Sequence, residues 1–285
     1  MTEVDISVIE YQIVGQSEVV INLRKEVYYA AQSDESVLIT GKTGTGKTYI
    51  AKIIHEQSKR RGKTFMDVNC AEITRNLFES EIFGHKKEAF TGATKNKIGR
   101  IKLAEGGTLF LDEIGEFSND LQAKLLTALE KKEYVPVGGE VKERSDFRLI
   151  SATNVNIAQQ IKIGSFRSDI LGRIGVHHIN ILPLKERKDD IYLLTERFVK
   201  IFGKGRKYFI SETERKKLHN HGWPLNVREL RNCIQEAIGR CENGNLEFRF
   251  LSNELLNVGI ESEAPGVSEL PAEDKRQPTI PSDDQ

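Results

Sequence analysis

Eight residues hold the densest chemistry in the chain: Gly41-Lys42-Thr43-Gly44-Thr45-Gly46-Lys47-Thr48. They follow the apolar run Val37-Leu38-Ile39 and lead into Tyr49-Ile50-Ala51-Lys52-Ile53-Ile54, which reads as a helix. The anionic oxygens of a triphosphate need several backbone N–H groups converging at a helix N-terminus. Only residues without bulky side chains let the main chain wrap that closely. Gly41, Gly44 and Gly46 provide the approach, and Lys42, Thr43 and Thr45 complete the cradle. Lys47 is placed to reach the β- and γ-phosphates, and the Thr48 hydroxyl to ligate a magnesium ion.

A second cluster complements the first. Gly106-Gly107-Thr108-Leu109-Phe110-Leu111 reads as a buried strand and ends in the adjacent carboxylates Asp112 and Glu113. Asp112 is positioned to hold the metal with Thr48, and Glu113 to orient a water. Such a pair could simply open a turn. Together with the cradle it points to ATP as ligand, Mg2+ as cofactor and hydrolysis as the reaction.

These groups need a scaffold that brings strand ends together. From Ile13 to Leu182 apolar runs alternate with amphipathic segments, the pattern of a parallel sheet sandwiched by helices, an α/β fold. The expected strands are Val37–Thr40, Phe65–Asn69, Thr108–Leu111, Phe147–Ala152 and His178–Ile181. Between the third and fourth, Leu121, Leu125, Leu126 and Leu129 recur at helical spacing behind a Ser118 cap. Pro183 ends the alternation. Asp189–Phe202, Ser211–Asn220 and Val227–Cys241 then read as helices of a small lid, the last capped by Asn226 with Glu229 completing a capping box. The expected organisation is a leader over 1–12, the nucleotide-binding domain over 13–182, the lid over 183–257 and a tail over 258–285.

Composition narrows the alternatives. The chain has 285 residues, enough for one large α/β domain and a smaller companion. Its 42 basic and 42 acidic side chains cancel, so no global field draws it to nucleic acid or to an anionic membrane. DNA binding by this chain alone is therefore not expected. With no apolar stretch long enough to cross a bilayer and no signal-peptide pattern at the N-terminus, the expected location is the cytoplasm. Cys70, Cys233 and Cys241 are too few and too scattered for a disulfide framework or a zinc site. From Glu261 on, seven acidic residues face two basic ones, and the tail holds four of the seven prolines. That composition is expected to be disordered.

Between the two nucleotide motifs lies Glu79-Ser80-Glu81-Ile82-Phe83-Gly84-His85-Lys86-Lys87-Glu88-Ala89-Phe90-Thr91-Gly92-Ala93. With Ser151-Ala152-Thr153-Asn154, Phe166-Arg167-Ser168-Asp169-Ile170-Leu171-Gly172-Arg173, Leu182-Pro183-Leu184-Lys185-Glu186-Arg187 and Trp223-Pro224-Leu225-Asn226-Val227-Arg228-Glu229-Leu230, this stretch resembles the central AAA+ domain of the bacterial enhancer-binding proteins that activate sigma-54 RNA polymerase. The resemblance runs from about Ile13 to Leu256. It implies a ring of identical subunits, usually a hexamer, with each ATP held between neighbours.

By position the resemblance makes Arg167 and Arg173 arginine fingers reaching into the next subunit's site. Asn154 would sense γ-phosphate, Arg228 would couple the lid to the nucleotide, and Asn69 would hold Glu113 away from water in one state. An ordinary structural hydrogen bond is the competing account for each of these last three. The segment Glu88-Ala89-Phe90-Thr91-Gly92-Ala93 matches the tip of the loop that presses on sigma-54.

This sequence departs from the family pattern at the output end. Glu88 stands where the family has the loop's first glycine, which removes the freedom at positive φ. Lys86 stands where the family often has glutamate and Pro136 where it often has arginine, so an ion pair thought to transmit nucleotide state to the loop is expected to be missing. Leu225 replaces the glycine of a Trp-Pro-Gly-Asn sequence. The reading is an ATP-driven remodeller of sigma-54 polymerase that converts closed promoter complexes to open ones. Two alternatives stand beside it: the same motor acting on a different protein client, and a nucleotide-gated scaffold with little turnover.

Overall fold

In the computed structural model, which describes residues 6–74 and 77–252, the described residues begin with two helices, α1 (Ile6–Gln12) and α2 (Glu18–Gln32). Residues 6–12, read from sequence as a leader, are thus helical and buried on one side. Ile9 is fully covered and packs with Ile13, Val20 and Val27. Ser17 caps α2, its hydroxyl accepting from the Val20 N–H.

Strand β1 (Val37–Gly41) runs into the phosphate loop and α3 (Lys47–Glu56), and β2 (Phe65–Asn69) follows. Next come α4 (Phe78–Phe83), the short strands β3 (Gly84–His85) and β4 (Lys97–Ile98), and α5 (Arg100–Leu103). Strand β5 (Thr108–Asp112) leads to α6 (Asn119–Lys131) and to a hairpin of β6 (Glu133–Tyr134) and β7 (Glu143–Arg144). The domain closes with β8 (Arg148–Thr153), α7 (Ile157–Lys162), α8 (Ser168–Ile174) and β9 (His177–Ile181).

The five main strands form one parallel sheet in the order β2-β5-β8-β1-β9. The central strands β1, β5 and β8 are covered on both faces, which explains their largely apolar runs, while the edge strands β2 and β9 carry exposed polar residues. On one face Leu38, Leu109, Leu111 and Leu149 pack under α4, α6 and α8; on the other Ile39, Phe110, Ile150 and Ile179 pack under α2 and α3. Crossovers put the carboxyl ends of neighbouring strands side by side, and the crevice there is where α/β sheets bind ligands.

Beyond Pro183 come α9 (Ile191–Phe202), α10 (Glu212–Asn220) and α11 (Asn226–Arg240), which close on a separate core of Leu194, Leu218, Trp223, Leu230 and Ile234. Ser211 caps α10 as a hydroxyl should, accepting from Glu214 N–H. Asn226 does not cap α11. It is the first residue of the helix, held at φ 54°, and Leu225 occupies the cap position. Only the glutamate half of the expected capping box survives: Glu229 Oε2 accepts from the Leu225 N–H at 2.9 Å. Three of the five expected strands extend one residue beyond their expected ends and β8 is displaced by one, the usual latitude at element boundaries.

All three cysteines are free, Cys70 and Cys233 being buried. No helix among the described residues is long and apolar enough to cross a membrane. The tail over 258–285 lies outside the described residues.

Candidate active site

The eight-residue loop turns through glycine conformations that a side chain would forbid. Gly44 sits at φ 79° and Gly46 at φ 108°. A Cβ on Gly46 would meet no protein atom within 4 Å, so this residue answers to its backbone angle and leaves the mouth of the cradle open. Gly44 answers also to packing: a Cβ there would lie 2.1 Å from the Leu225 carbonyl oxygen of the lid. The loop ends at the N-terminus of α3, where the first amides have no helical acceptor and favour an anion.

Lys47 is buried, at 6 % exposure, and its Nζ donates to the Gly41 carbonyl at 3.1 Å. The same ammonium lies 3.3 Å from Glu113 Oε1. Thr48 Oγ1 donates to Asp112 Oδ2 at 3.0 Å, so the two groups expected to hold a metal are adjacent. Oxygen donors of this kind, few and hard, suit magnesium, which keeps waters and phosphate oxygens in its remaining positions.

Glu113 follows β5 in the left-handed region, at φ 57° and ψ 50°. A non-glycine residue held there stores about 1–3 kcal/mol and persists where its surroundings fix it. Here they do: Oε2 accepts the Asn154 N–H at 2.9 Å while Oε1 faces Lys47. Asn154 Nδ2 in turn donates to Thr43 Oγ1 at 3.1 Å. The carboxylate is thereby aimed at the cradle from the end of the neighbouring strand.

These groups line a cleft of about 530 Å³ between sheet edge and lid. Thr43 to Thr48, Asp112, Glu113 and Arg228 border its polar end, and Val14, Leu23, Leu194 and Phe198 its apolar end. The first part offers the amides and cation that phosphates attract, and the second an apolar surface of the kind a planar ring packs on. Sequence reasoning missed Arg187, Arg197 and Arg231, which also line the cleft. The spacing of Arg231 three residues after Arg228 on one helix was the available signal. Arg187 has no such signal; burial lowers its pKa despite Asp190 nearby.

Other expected site residues lie apart from this cleft. Asn69 is engaged in its own turn, accepting from Ala71 N–H and donating to Glu72 Oε1 at 2.8 Å. Arg167 forms an exposed pair with Asp169, which raises the arginine pKa, and Arg173 pairs with Glu130 at 3.2 Å. Neither arginine borders its own chain's cleft, and both lie exposed on its surface.

The segment 88–93 forms a closed loop in which Glu88 N–H donates to the Ala93 carbonyl at 2.7 Å. Glu88 occupies φ 68°, so the position demands the very conformation glycine would give freely. Phe90 is 39 % exposed, its ring edge-on to His85 at 5.0 Å, and Gly92 turns the chain at φ 98°. With Pro136 uncharged, no ion pair joins positions 86 and 136, and Lys86 has a different acidic partner. Lys86 Nζ lies 3.0 Å from Glu143 Oε1 on β7, and the Tyr134 hydroxyl donates to the other carboxylate oxygen at 3.0 Å. Lys86 holds the Glu143 carboxyl below the usual carboxylate range.

Sheet order, phosphate loop, carboxylate pair and helical lid together define an AAA+ nucleotide-binding fold. The chain belongs to the sigma-54 interaction domain family, which it matches over residues 13–180, and residues 185–266 match an AAA+ ATPase lid domain. It is 44 % identical over 242 residues to a Nif-specific regulatory protein of Azospirillum lipoferum, covering 84 % of this chain and 39 % of that one. It is 46 % identical over 211 residues to the alginate biosynthesis transcriptional regulatory protein AlgB of Pseudomonas aeruginosa, covering 73 % of this chain and 47 % of that one. Among solved structures, NtrX from Brucella abortus in complex with ATP superposes with a TM-score of 0.73 at 32 % identity, covering 84 % of this chain and 56 % of that one. The chain thus spans about two fifths to half of these regulators' length.

Proposed function

We propose that this chain is the motor of a sigma-54-dependent transcription activator, hydrolysing ATP to drive RNA polymerase from the closed to the open promoter complex. The observation that carries this reading is the convergence of Lys47 and Thr48 at the start of α3 with Asp112 and Glu113 at the end of β5 on one cradle. The family membership and the ATP complex of NtrX support it.

In this reading the amides of Gly41 to Thr48 and the Lys47 ammonium bind the phosphates, while the apolar end of the cleft takes the base. Thr48 and Asp112 would hold Mg2+, which supplies charge neutralisation to the phosphate oxygens. Glu113 polarises and aligns the attacking water, and the Asn154 amide reports on the γ-phosphate. Arg228 carries that information to the lid. Adjoining copies in a ring, a hexamer by family analogy, contribute Arg167 and Arg173 to the charge that builds on the transferred group, an effect worth about 10³–10⁵ in rate in related systems. Asn69 would engage Glu113 in another state of the cycle.

The output is assigned to Glu88–Ala93. Phe90 is exposed at the loop tip, and exposed aromatics on a rigid loop are economical partner contacts. Glu88 and the charge arrangement at Lys86 favour a second reading, the same motor with another protein client. An ATP-dependent open-complex assay on a sigma-54 promoter decides between them. Hydrolysis and ring formation without open complexes would leave only the second reading.

A further inference from the structure

The lid is joined to the phosphate loop by a residue that the sequence pattern assigns elsewhere. Asn226 is buried, at 2 % exposure, and both polar atoms of its side-chain amide are bonded. Oδ1 accepts the Leu184 N–H at 2.8 Å and Nδ2 donates to the Thr43 carbonyl at 2.9 Å. The partners fix the amide's orientation, since a carbonyl must face the NH2 and an N–H must face the oxygen. Its φ of 54° is one that asparagine tolerates better than other side chains do.

The junction has little slack. The Arg228 N–H donates to the Gly44 carbonyl at 3.1 Å, and the Leu225 carbonyl occupies the space a Gly44 side chain would need. From Thr43 the contacts continue without a gap. Thr43 Oγ1 meets Asn154 Nδ2, the Asn154 N–H meets Glu113 Oε2, and Glu113 Oε1 faces Lys47. Five residues from the lid, the phosphate loop, the end of β8 and the end of β5 thus form one polar chain.

We propose that Asn226 is a positioning residue which, through Thr43 and Asn154, sets where the Glu113 carboxylate points according to the angle of the lid. It touches no phosphate itself, unlike the role given to Arg228. Rotation of α11 must either pull Thr43 with it or break the Asn226 bond, and both outcomes reach Glu113 through Asn154. The inference rests on the ATPase reading given above.

Two substitutions cut the chain at different points. Asn226→Gly keeps the backbone conformation and deletes the amide; Thr43→Val keeps the carbonyl that Asn226 needs and deletes the hydroxyl that Asn154 needs. Each is expected to lower kcat about tenfold or more, with ATP affinity by fluorescent-nucleotide titration changed less than about threefold. The double variant should be no slower than the slower single, because residues acting as a unit are not additive. A role limited to holding the lid in place would weaken nucleotide binding and spare kcat at saturation.

Unchanged kcat in either single variant, or losses that multiply in the double, would overturn the proposal. Should Asn226→Gly not fold, Asn226→Asp keeps the bond to Leu184 and sets an oxygen against the Thr43 carbonyl; the same fall in kcat is expected, and wild-type kcat overturns it. Wild-type turnover is read first. If there is none, the ATPase reading fails, and amide exchange over residues 41–48 still decides the tether: Asn226→Gly should speed it at least about tenfold, and equal rates refute the link.

Discussion

The Lys47 ammonium and the Glu113 carboxylate face each other at 3.3 Å across the mouth of the phosphate cradle, one from the start of α3 and one from the end of β5. In the proposed reaction the cation that would meet phosphate and the carboxylate that would align water therefore constrain each other. Glu113→Gln keeps the shape and removes the charge. Turnover should fall about 10²–10³-fold with ATP binding retained, because the loss is of water alignment. Phosphate release and nucleotide titration on the same sample separate the two quantities, and turnover close to wild type would remove Glu113 from its role.

Arg173 and Arg167 are exposed and paired with Glu130 and Asp169 of their own chain. If they act in a neighbour's site, Arg173→Ala should lose about 10³-fold in turnover and none of its ATP affinity. Mixing it with Glu113→Gln copies should restore part of the activity, since mixed rings contain one intact site at some junctions. Activity that stays lost at every mixing ratio counts against a shared site.

Gly44→Ala is expected to be severe. The added carbon would meet the Leu225 carbonyl at 2.1 Å and would sit at φ 79°. Lid and loop must separate, and a destabilisation of at least about 2 kcal/mol follows from strain and lost contacts. Thermal denaturation measures it, with nucleotide affinity falling in parallel. Gly46→Ala would meet no protein atom but would be strained at φ 108°, so it should cost about 1–3 kcal/mol of stability from the backbone alone and, at the open mouth of the cradle, nucleotide affinity as well.

Glu88→Gly tests the loop. Glycine accepts φ 68° without strain, a gain of about 1–2 kcal/mol, against which stands the greater entropy of glycine in the unfolded chain, about 0.5–1 kcal/mol. Stability should be unchanged or higher by about 1 kcal/mol. Open-complex formation should increase with ATPase activity unchanged. A fall in open complexes would show that the glutamate is itself a contact.

His55 gives the pH dependence a direction. Burial lowers its pKa from the usual 6.5, and its ring lies 2.9 Å from Thr108 Oγ1 at the foot of β5. As pH falls below 6.5 the unfolded chain takes a proton that the folded chain resists, so stability declines toward the depressed folded value. Urea denaturation at pH 7.5 and 5.5 should show that decline, and His55→Gln should flatten it. An identical decline in the variant would assign it to other groups.

Much of the architecture is legible in residue order because local rules and the tertiary fold agree. The central strands β1, β5 and β8 are short, largely apolar runs, and Ser118 and Ser211 cap helices as hydroxyl side chains do. The phosphate loop is legible because glycine spacing there answers to backbone geometry, as φ at Gly44 and Gly46 shows. Asn226 misleads for the opposite reason. An asparagine before an apolar helix has the signature of a cap, but its two hydrogen-bond partners are 42 and 183 residues away. The Lys86–Glu143 pair was hidden likewise, since its second member lies on a hairpin 57 residues further on.

The sequence by itself determined which groups are present and which neighbours each must have along the chain: a cradle at a helix start, two carboxylates at a strand end, a polar lid helix. It could do so because backbone conformation and apolar periodicity are local properties. Which oxygen faces Lys47, which carbonyl holds Asn226 and which acid balances Lys86 were decided only when the parallel crossovers set distant strand ends side by side. Hydrogen bonds and ion pairs act over a few ångströms of space, and separation along the chain carries no information about that distance.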